Sequence, residues 1–288
     1  MGNINNNRYK GIFFLILSAF FFSLMALFVR LAGDLPTMQK GFFRNAVAVV
    51  VALAAIKKSG EKIRIQKGNF FPLLLRSMFG TVGIICNFYA IDRLLLPNAY
   101  MLNKTAPFFT LISSWFILKE RLSKKQAMVV AVAFVGALFI IRPSFTNIDA
   151  FPAFIGLLSG LGAGLAYTMV RLLGQRGESK NMIVLFFSVA SCIFFTPFMI
   201  AGYVPMTLYQ LAMLILAGVS AAFGQFTVTT AYFYAPASEI SVYDYTAVIF
   251  SALWGLLFFN QMPDFINVIG YIIIAGAAIY NRKLAMEN

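Results

Sequence analysis

The sequence predicts an all-α integral membrane protein with ten transmembrane helices in two inverted five-helix repeats. Four observations carry that expectation. The chain of 288 residues is 60% hydrophobic and 11% charged, whereas a soluble chain carries about 25% charged residues. Its apolar stretches recur at lengths of roughly 18–23 residues, each enough to cross a hydrocarbon core about 30 Å thick. The chain also repeats itself. A shift of 141 positions lays Gly83 on Gly224, Ala90 on Ala231, Thr105 on Thr246, Ala106 on Ala247 and Phe109 on Phe250. No gap is needed from 83 to 122, and one gap then brings Gly136 onto Gly276. Finally, Lys and Arg gather on alternate connections between the apolar stretches.

In chain order the spans are expected at 11–32, 38–57, 70–91, 96–117, 124–141, 151–173, 181–202, 208–233, 237–259 and 264–281. The repeats are residues 1–145 and 146–288. Because five is odd, the second repeat enters the bilayer from the opposite face, the pattern of secondary transporters with a site at the repeat interface. The basic side holds Arg8, Lys10, Lys57, Lys58, Lys62, Arg64, Lys67, Lys119, Arg121, Lys124, Lys125, Arg171, Arg176, Lys180, Arg282 and Lys283. The other side holds Arg30, Lys40, Arg93 and Arg142. The positive-inside rule then places both termini in the cytoplasm and requires an even number of spans. The formal charge of +13 is thus a topology signal and a contact for membrane lipids, and no nucleic-acid partner is expected. The first span is too long for a cleaved signal and reads as retained. Cys86 and Cys192 lie within spans without metal-ligand spacing and read as packing residues.

The segment Leu94 to Ile141 carries a resemblance to a known family. It combines a mid-helix proline, Pro107, the turn Glu120-Arg121-Leu122, and Gly136 late in the next span; Phe43-Arg44 lies early in the second span. With these residues the chain resembles the EamA family of the drug/metabolite transporter superfamily. The second half departs from that pattern, with Gln261-Met262-Pro263 and Val248 at the matching positions. The resemblance implies two five-span repeats and carrier activity, and leaves the substrate open.

Charge inside a bilayer is expensive and is a functional-site hypothesis by default. The chain has no His, so an imidazole relay is excluded. Lys104 is the clearest deep cation, and Glu239 and Asp244 are the acidic residues within spans. Tyr100, Asn103, Lys104 and Pro107 fall at i, i+3, i+4 and i+7 on one helix stripe. Their counterparts 141 positions on are Ser241, Asp244, Tyr245 and Val248. Facing stripes would let Lys104 approach Asp244, as a substrate or coupling pair or as a neutralising salt bridge. Pro107 loosens its helix and frees a carbonyl, or is a tolerated membrane-helix proline. Glu239 either favours a helix N-terminus or carries a coupling proton, a role open to Asp244 as well. Asn87 and Gln225 either bond a substrate or a neighbouring helix. Tyr89, Tyr100, Tyr243 and Tyr245 flank the polar positions and offer rings and hydroxyls, and Tyr167 lies near the face of Gly156, Gly160 and Gly164, in reach of the cavity. Gly156, Gly160 and Gly164 read as a close-packing seam. Arg44 snorkels to the interface or binds an anionic group, with snorkelling or a structural role favoured.

These features give no metal cluster, no P-loop, no Ser-His-Asp set and no cofactor motif, so no enzyme is expected. The expected function is transport of a small organic metabolite by alternating access, proton-coupled or by facilitated exchange. Zwitterions and cations resembling amino acids, nucleobases, nucleosides or drugs suit the polar set. A lipid or amphiphile flippase and a non-transporting membrane protein are the alternatives. The stretch from Ile272 to Ala278 would meet a second copy, as a homodimer, or pack on its neighbours.

Overall fold

A computed structural model describes residues 2–94, 96–141, 149–260 and 262–287. The expected repeat boundary at 145/146, together with Arg142 and Gln261, lies outside the described residues. The described secondary structure is helical throughout: α1 Gly2–Leu31, α2 Thr37–Ser59, α3 Phe70–Arg93, α4 Leu96–Asn103, α5 Ala106–Leu118, α6 Lys124–Ile141, α7 Ala150–Gln175, α8 Lys180–Ala201, α9 Leu208–Tyr234, α10 Ala237–Ile240, a 3-10 turn Ser241–Tyr245, α11 Thr246–Phe259 and α12 Phe265–Glu287. Eight helical segments among the described residues are long and apolar enough to cross a bilayer, and Phe265–Asn281 is a shorter apolar helix. Large apolar side chains such as Phe13, Phe116, Ile193, Ile200 and Leu257 face outward, as a lipid-solvated surface requires.

Local chemistry sets the ends. Asp149 caps α7 through Phe151 N, Ser179 caps α8 through Met182 N, and Thr207 with Gln210 forms a capping box on α9. Each cap satisfies an orphan N–H of the first helical turn. Gly60 ends α2 at φ 68°, where the absence of a Cβ relieves the left-handed conformation. Among the described residues, two other than glycine also have positive φ: Lys119 at 56° after α5 and Asn260 at 52° after α11. Lys119 donates its N–H to Ser114 O, and Asn260 donates to Gly255 O.

The bundle is organised by pairs of long helices. α1 runs along α9, and α7 runs along α3; α2 packs on α8, and α6 on α12. Hydrogen bonds fix the two ends. At one, Arg8 Nε contacts Glu239 Oε2 at 2.6 Å and Asn281 Nδ2 donates to Glu239 O at 2.7 Å. The N-terminal helix and the C-terminal helix therefore share an end, here the near end. Glu178 bonds Gln66 N and Asn69 Nδ2 there as well. At the far end Gln39 exchanges bonds with Val204, and Gln210 Nε2 donates to Ala32 O.

The fourth and ninth expected spans are not continuous helices. The fourth is split into α4 and α5 at Lys104-Thr105. Pro107 has no N–H to offer the Asn103 carbonyl, and its ring crowds that carbonyl, so the α-helical ladder cannot run through. The ninth passes from α10 through a 3-10 turn into α11. Both interruptions retain apolar flanks, which is why hydropathy reads each as a single span.

Candidate functional site

The interruptions bring Lys104 and Asp244 together. Lys104 Nζ lies 3.0 Å from Asp244 Oδ2. Their side chains are 16% and 17% exposed, so the pair is largely withdrawn from solvent. Tyr245, fully buried, donates its hydroxyl to Lys104 O at 3.1 Å. It thereby satisfies a carbonyl at the break, where the helix leaves backbone groups unpaired. Asn103 Nδ2 donates to Ser159 Oγ of α7 at 3.2 Å. The glycine seam of α7 holds this region in place. A Cβ at Gly160 would stand 2.8 Å from Leu102 O, and one at Gly164 would stand 2.8 Å from Thr110 N. Only hydrogen at those positions lets α7 press onto the α4–α5 junction.

A second polar group borders the first. Arg76 of α3 is 2% exposed. Its Nη2 donates to Gln225 Oε1 on α9 at 2.8 Å, and its guanidinium carbon lies 3.6 Å from the Phe187 ring centroid. Tyr167 on α7 stacks on Tyr232 at 5.3 Å. It lies within electrostatic reach of Asp244, Arg76 and Arg44 together, so these residues form one neighbourhood. Arg44 turns inward. Its Nε is sealed from solvent and it acts on both Tyr167 and Arg76. The snorkelling favoured from sequence is thereby corrected. Arg44 lies seven residues beyond the Thr37 start of α2, and helix rotation points it into the bundle.

The remaining candidates have distinct settings. Asn87 has a buried Oδ1 with no partner among the described residues. Tyr243 donates its hydroxyl to Ala278 O on α12. Tyr89 packs edge-on to Phe151 and lies 5.3 Å from the Arg93 guanidinium. Tyr100 is 38% exposed and within electrostatic reach of Arg30. Glu239 is engaged by Arg8 at the near end. Sequence reasoning passed over Arg76 as a ligand for anything, and it passed over the ion pair of Arg171 with Glu120 at 2.9 Å. Arg171 also donates to the Tyr232 and Phe233 carbonyls at the end of α9, where a cation complements the helix dipole. The spacing of Glu120 after Pro107 was the available signal.

The described residues hold no group of three or more His, Cys, Asp or Glu suited to a metal. An all-helical membrane protein whose broken helices meet at a buried ion pair has the parts of a membrane transporter. The comparisons agree. The EamA-like transporter family model matches residues 9–142 and again residues 150–282, and the chain belongs to that family. It is 30% identical over 273 residues to the pseudopaline exporter of Pseudomonas aeruginosa (strain UCBPP-PA14), covering 94% of this chain and 95% of that one. It is 24% identical to the S-adenosylmethionine uptake transporter of Rickettsia prowazekii (strain Madrid E), covering 90% and 88%. A solved crystal structure superposes with a TM-score of 0.82 over 96% of this chain and 98% of its own, at 15% identity, a likeness of fold. The protein is an integral membrane transporter, and its partners are the membrane and a small-molecule substrate.

Proposed function

We propose that this protein is a secondary transporter of the cytoplasmic membrane that moves a small organic metabolite with amino-acid-like, zwitterionic character. Two inverted repeats of five spans rock about a midplane site, with both termini in the cytoplasm. The carrying observation is the 3.0 Å Lys104–Asp244 contact, made between the interrupted helices of the two halves. Such discontinuous helices frame the substrate and ion sites of carriers.

The inverted arrangement is supported by equivalences at the 141 offset. Pairing α1 with α9 has its counterpart in pairing α7 with α3. Lys119 and Asn260 are 141 apart, as are their acceptors Ser114 and Gly255. Ser18 donates to Gly224 O, and the equivalent Ser159 backbone lies where a Gly83 Cβ would meet it at 3.3 Å. In the carrier cycle the Lys104–Asp244 pair opens and frees Asp244 for the cationic group of a zwitterion. Asp244 is the candidate for proton coupling, and Tyr167 and Tyr245 supply ring and hydroxyl contacts. The two named relatives are an exporter and an uptake transporter, so kinship supports carriage without choosing a direction.

The test is exchange in proteoliposomes loaded with a panel of amino acids, nucleobases and adenosyl compounds, chosen from hits in a thermal-unfolding screen. At least one compound is expected to exchange across the membrane, with exchange lost in Lys104→Ala and in Asp244→Ala. Exchange undiminished in both variants would remove the ion pair from the transport site.

A further inference from the structure

Arg76 is a cation for which the described residues supply no carboxylate. Its Nη2 is held by the neutral amide of Gln225, and its face by the Phe187 ring. Its Nε and Nη1 are buried without a hydrogen-bond partner among the described residues. Neither the amide nor the ring cancels the charge. Asp244, the carboxylate that shares the Tyr167 neighbourhood with Arg76, is engaged by Lys104. Arg44 adds to the imbalance, because its Nε is likewise buried and unpartnered and it opposes Arg76 as a like charge. Leaving buried charge uncompensated is strongly unfavourable.

The fold nevertheless makes room for this guanidinium. A Cβ at Gly80, one turn on from Arg76, would stand 2.8 Å from Arg76 Nη1 and 2.8 Å from the Phe187 ring. A glycine here clears the space in which the cation and the ring lie together. If packing were the only requirement, an apolar side chain would fill that space without a buried charge. Guanidinium matches the planar oxygens of a carboxylate or phosphate, and those charge-assisted bonds are the strong ones.

We propose that Arg76, with Arg44 beside it, recognises an oxyanion, a carboxylate or phosphate group of the transported metabolite. The inference rests on the carrier reading above and specifies one half of its substrate. Nε and Nη1 of Arg76 are the donors left for the oxyanion, and Gln225 and Phe187 hold the guanidinium in position. Lys104 is then not the anion receptor, since its charge is already met by Asp244. The bound anion offsets the positive charge when the bundle seals, so the sealed state favours the loaded carrier.

Thermal unfolding of the detergent-purified full chain, titrated with citrate, aspartate and inorganic phosphate, tests this directly. Phosphatidylglycerol is titrated in parallel to represent a lipid headgroup. At least one soluble oxyanion is expected to raise the midpoint saturably. The apparent affinity should fall about 10- to 100-fold in Arg76→Lys and the shift should vanish in Arg76→Met. Arg64→Gln, on the connection between α2 and α3, should retain it. If Arg76→Met does not fold, Arg76→Lys and Gln225→Leu carry the comparison. No shift with any soluble oxyanion, or a shift that survives in every folded variant of Arg76 and Gln225, overturns the proposal. A shift with phosphatidylglycerol alone also overturns it and marks a lipid site. The two readings fail separately. A proteoliposome substrate without an anionic group refutes the oxyanion site and leaves the carrier standing, whereas absence of exchange for the whole panel counts against the carrier.

Discussion

Lys104 and Arg76 are both cations held inside the helical bundle, and the protein treats them in opposite ways. Lys104 stands at a helix break and meets a carboxylate at 3.0 Å. Arg76 stands within a continuous helix and meets an amide and an aromatic face. The first charge is balanced by the chain. The second is solvated by dipoles and a π-face but not balanced. Removing one member of a balanced pair strands the other, whereas removing an unbalanced charge also removes its desolvation cost. The same kind of substitution should therefore have opposite consequences at the two positions.

The largest expected effect is at the balanced pair. Asp244→Ala should lower the unfolding free energy in detergent by about 3–5 kcal/mol, because Lys104 is left buried and unpaired. The double variant Lys104→Met/Asp244→Leu should recover most of that loss, and strictly additive losses would mean that the two residues are not coupled. Next comes the contrast at Arg76. Arg76→Met should cost no more than about 1 kcal/mol, since loss of the Gln225 bond is offset by removal of an unpaired buried charge. A loss as large as that of Asp244→Ala would erase the distinction between the two cations.

Smaller effects sharpen the same contrast at the ends of the bundle. Arg8 and Glu239 form a closer contact than the central pair, at 2.6 Å, with Arg8 10% exposed and the Glu239 carboxylate, at the end of the bundle, 22% exposed. Glu239→Gln should cost about 0.2–1 kcal/mol, in the range of solvent-accessible pairs. Equilibrium unfolding would reveal a larger value if this end were as dry as the centre. The smallest effects are gains. Glycine relieves the left-handed conformation at the ends of α5 and α11. Lys119→Gly should stabilise by up to about 1 kcal/mol and Asn260→Gly by less, because asparagine tolerates that region better than lysine. Equal gains would show that the side chains there do more than adopt a backbone angle.

Much of the helical layout could be read from the chain. The starts of α2, α6, α8 and α9 fall within a residue of the expected spans, because hydropathy and capping residues act over short distances. The fourth and ninth spans each read as one apolar stretch, since apolarity continues through Lys104-Thr105 and through Ser241–Tyr245, although Pro107 marked the fourth as a loosened helix. Pro107 was the one sequence signal for the first break. The 141 offset places Lys104 and Asp244 on corresponding stretches and so makes them candidates for approach, while their 3.0 Å contact was decided by the fold. Arg44 and Arg76 were not legible as a cluster. Each lies within two turns of a helix start, where a long side chain can reach the interface or the interior, and only helix rotation decides which. In the sequence Glu120 belongs only to the turn Glu120-Arg121-Leu122, yet in the fold it is paired with Arg171 from another helix.

The sequence alone determined that this chain lives in lipid, where its apolar stretches lie, and which family it resembles. Those properties follow from transfer free energies and residue spacing, which are local. Tertiary structure decided which buried charges are met. Arg76 and Gln225 are 149 residues apart in the chain, and Phe187 comes from a third helix. Their meeting depends on how α3, α8 and α9 are rotated about their axes, and that is set by packing of whole helix faces. The glycines at 80, 160 and 164 show the division. As letters they mark small surfaces, and only the packed neighbours reveal that one admits a guanidinium while the others admit the backbone of a broken helix.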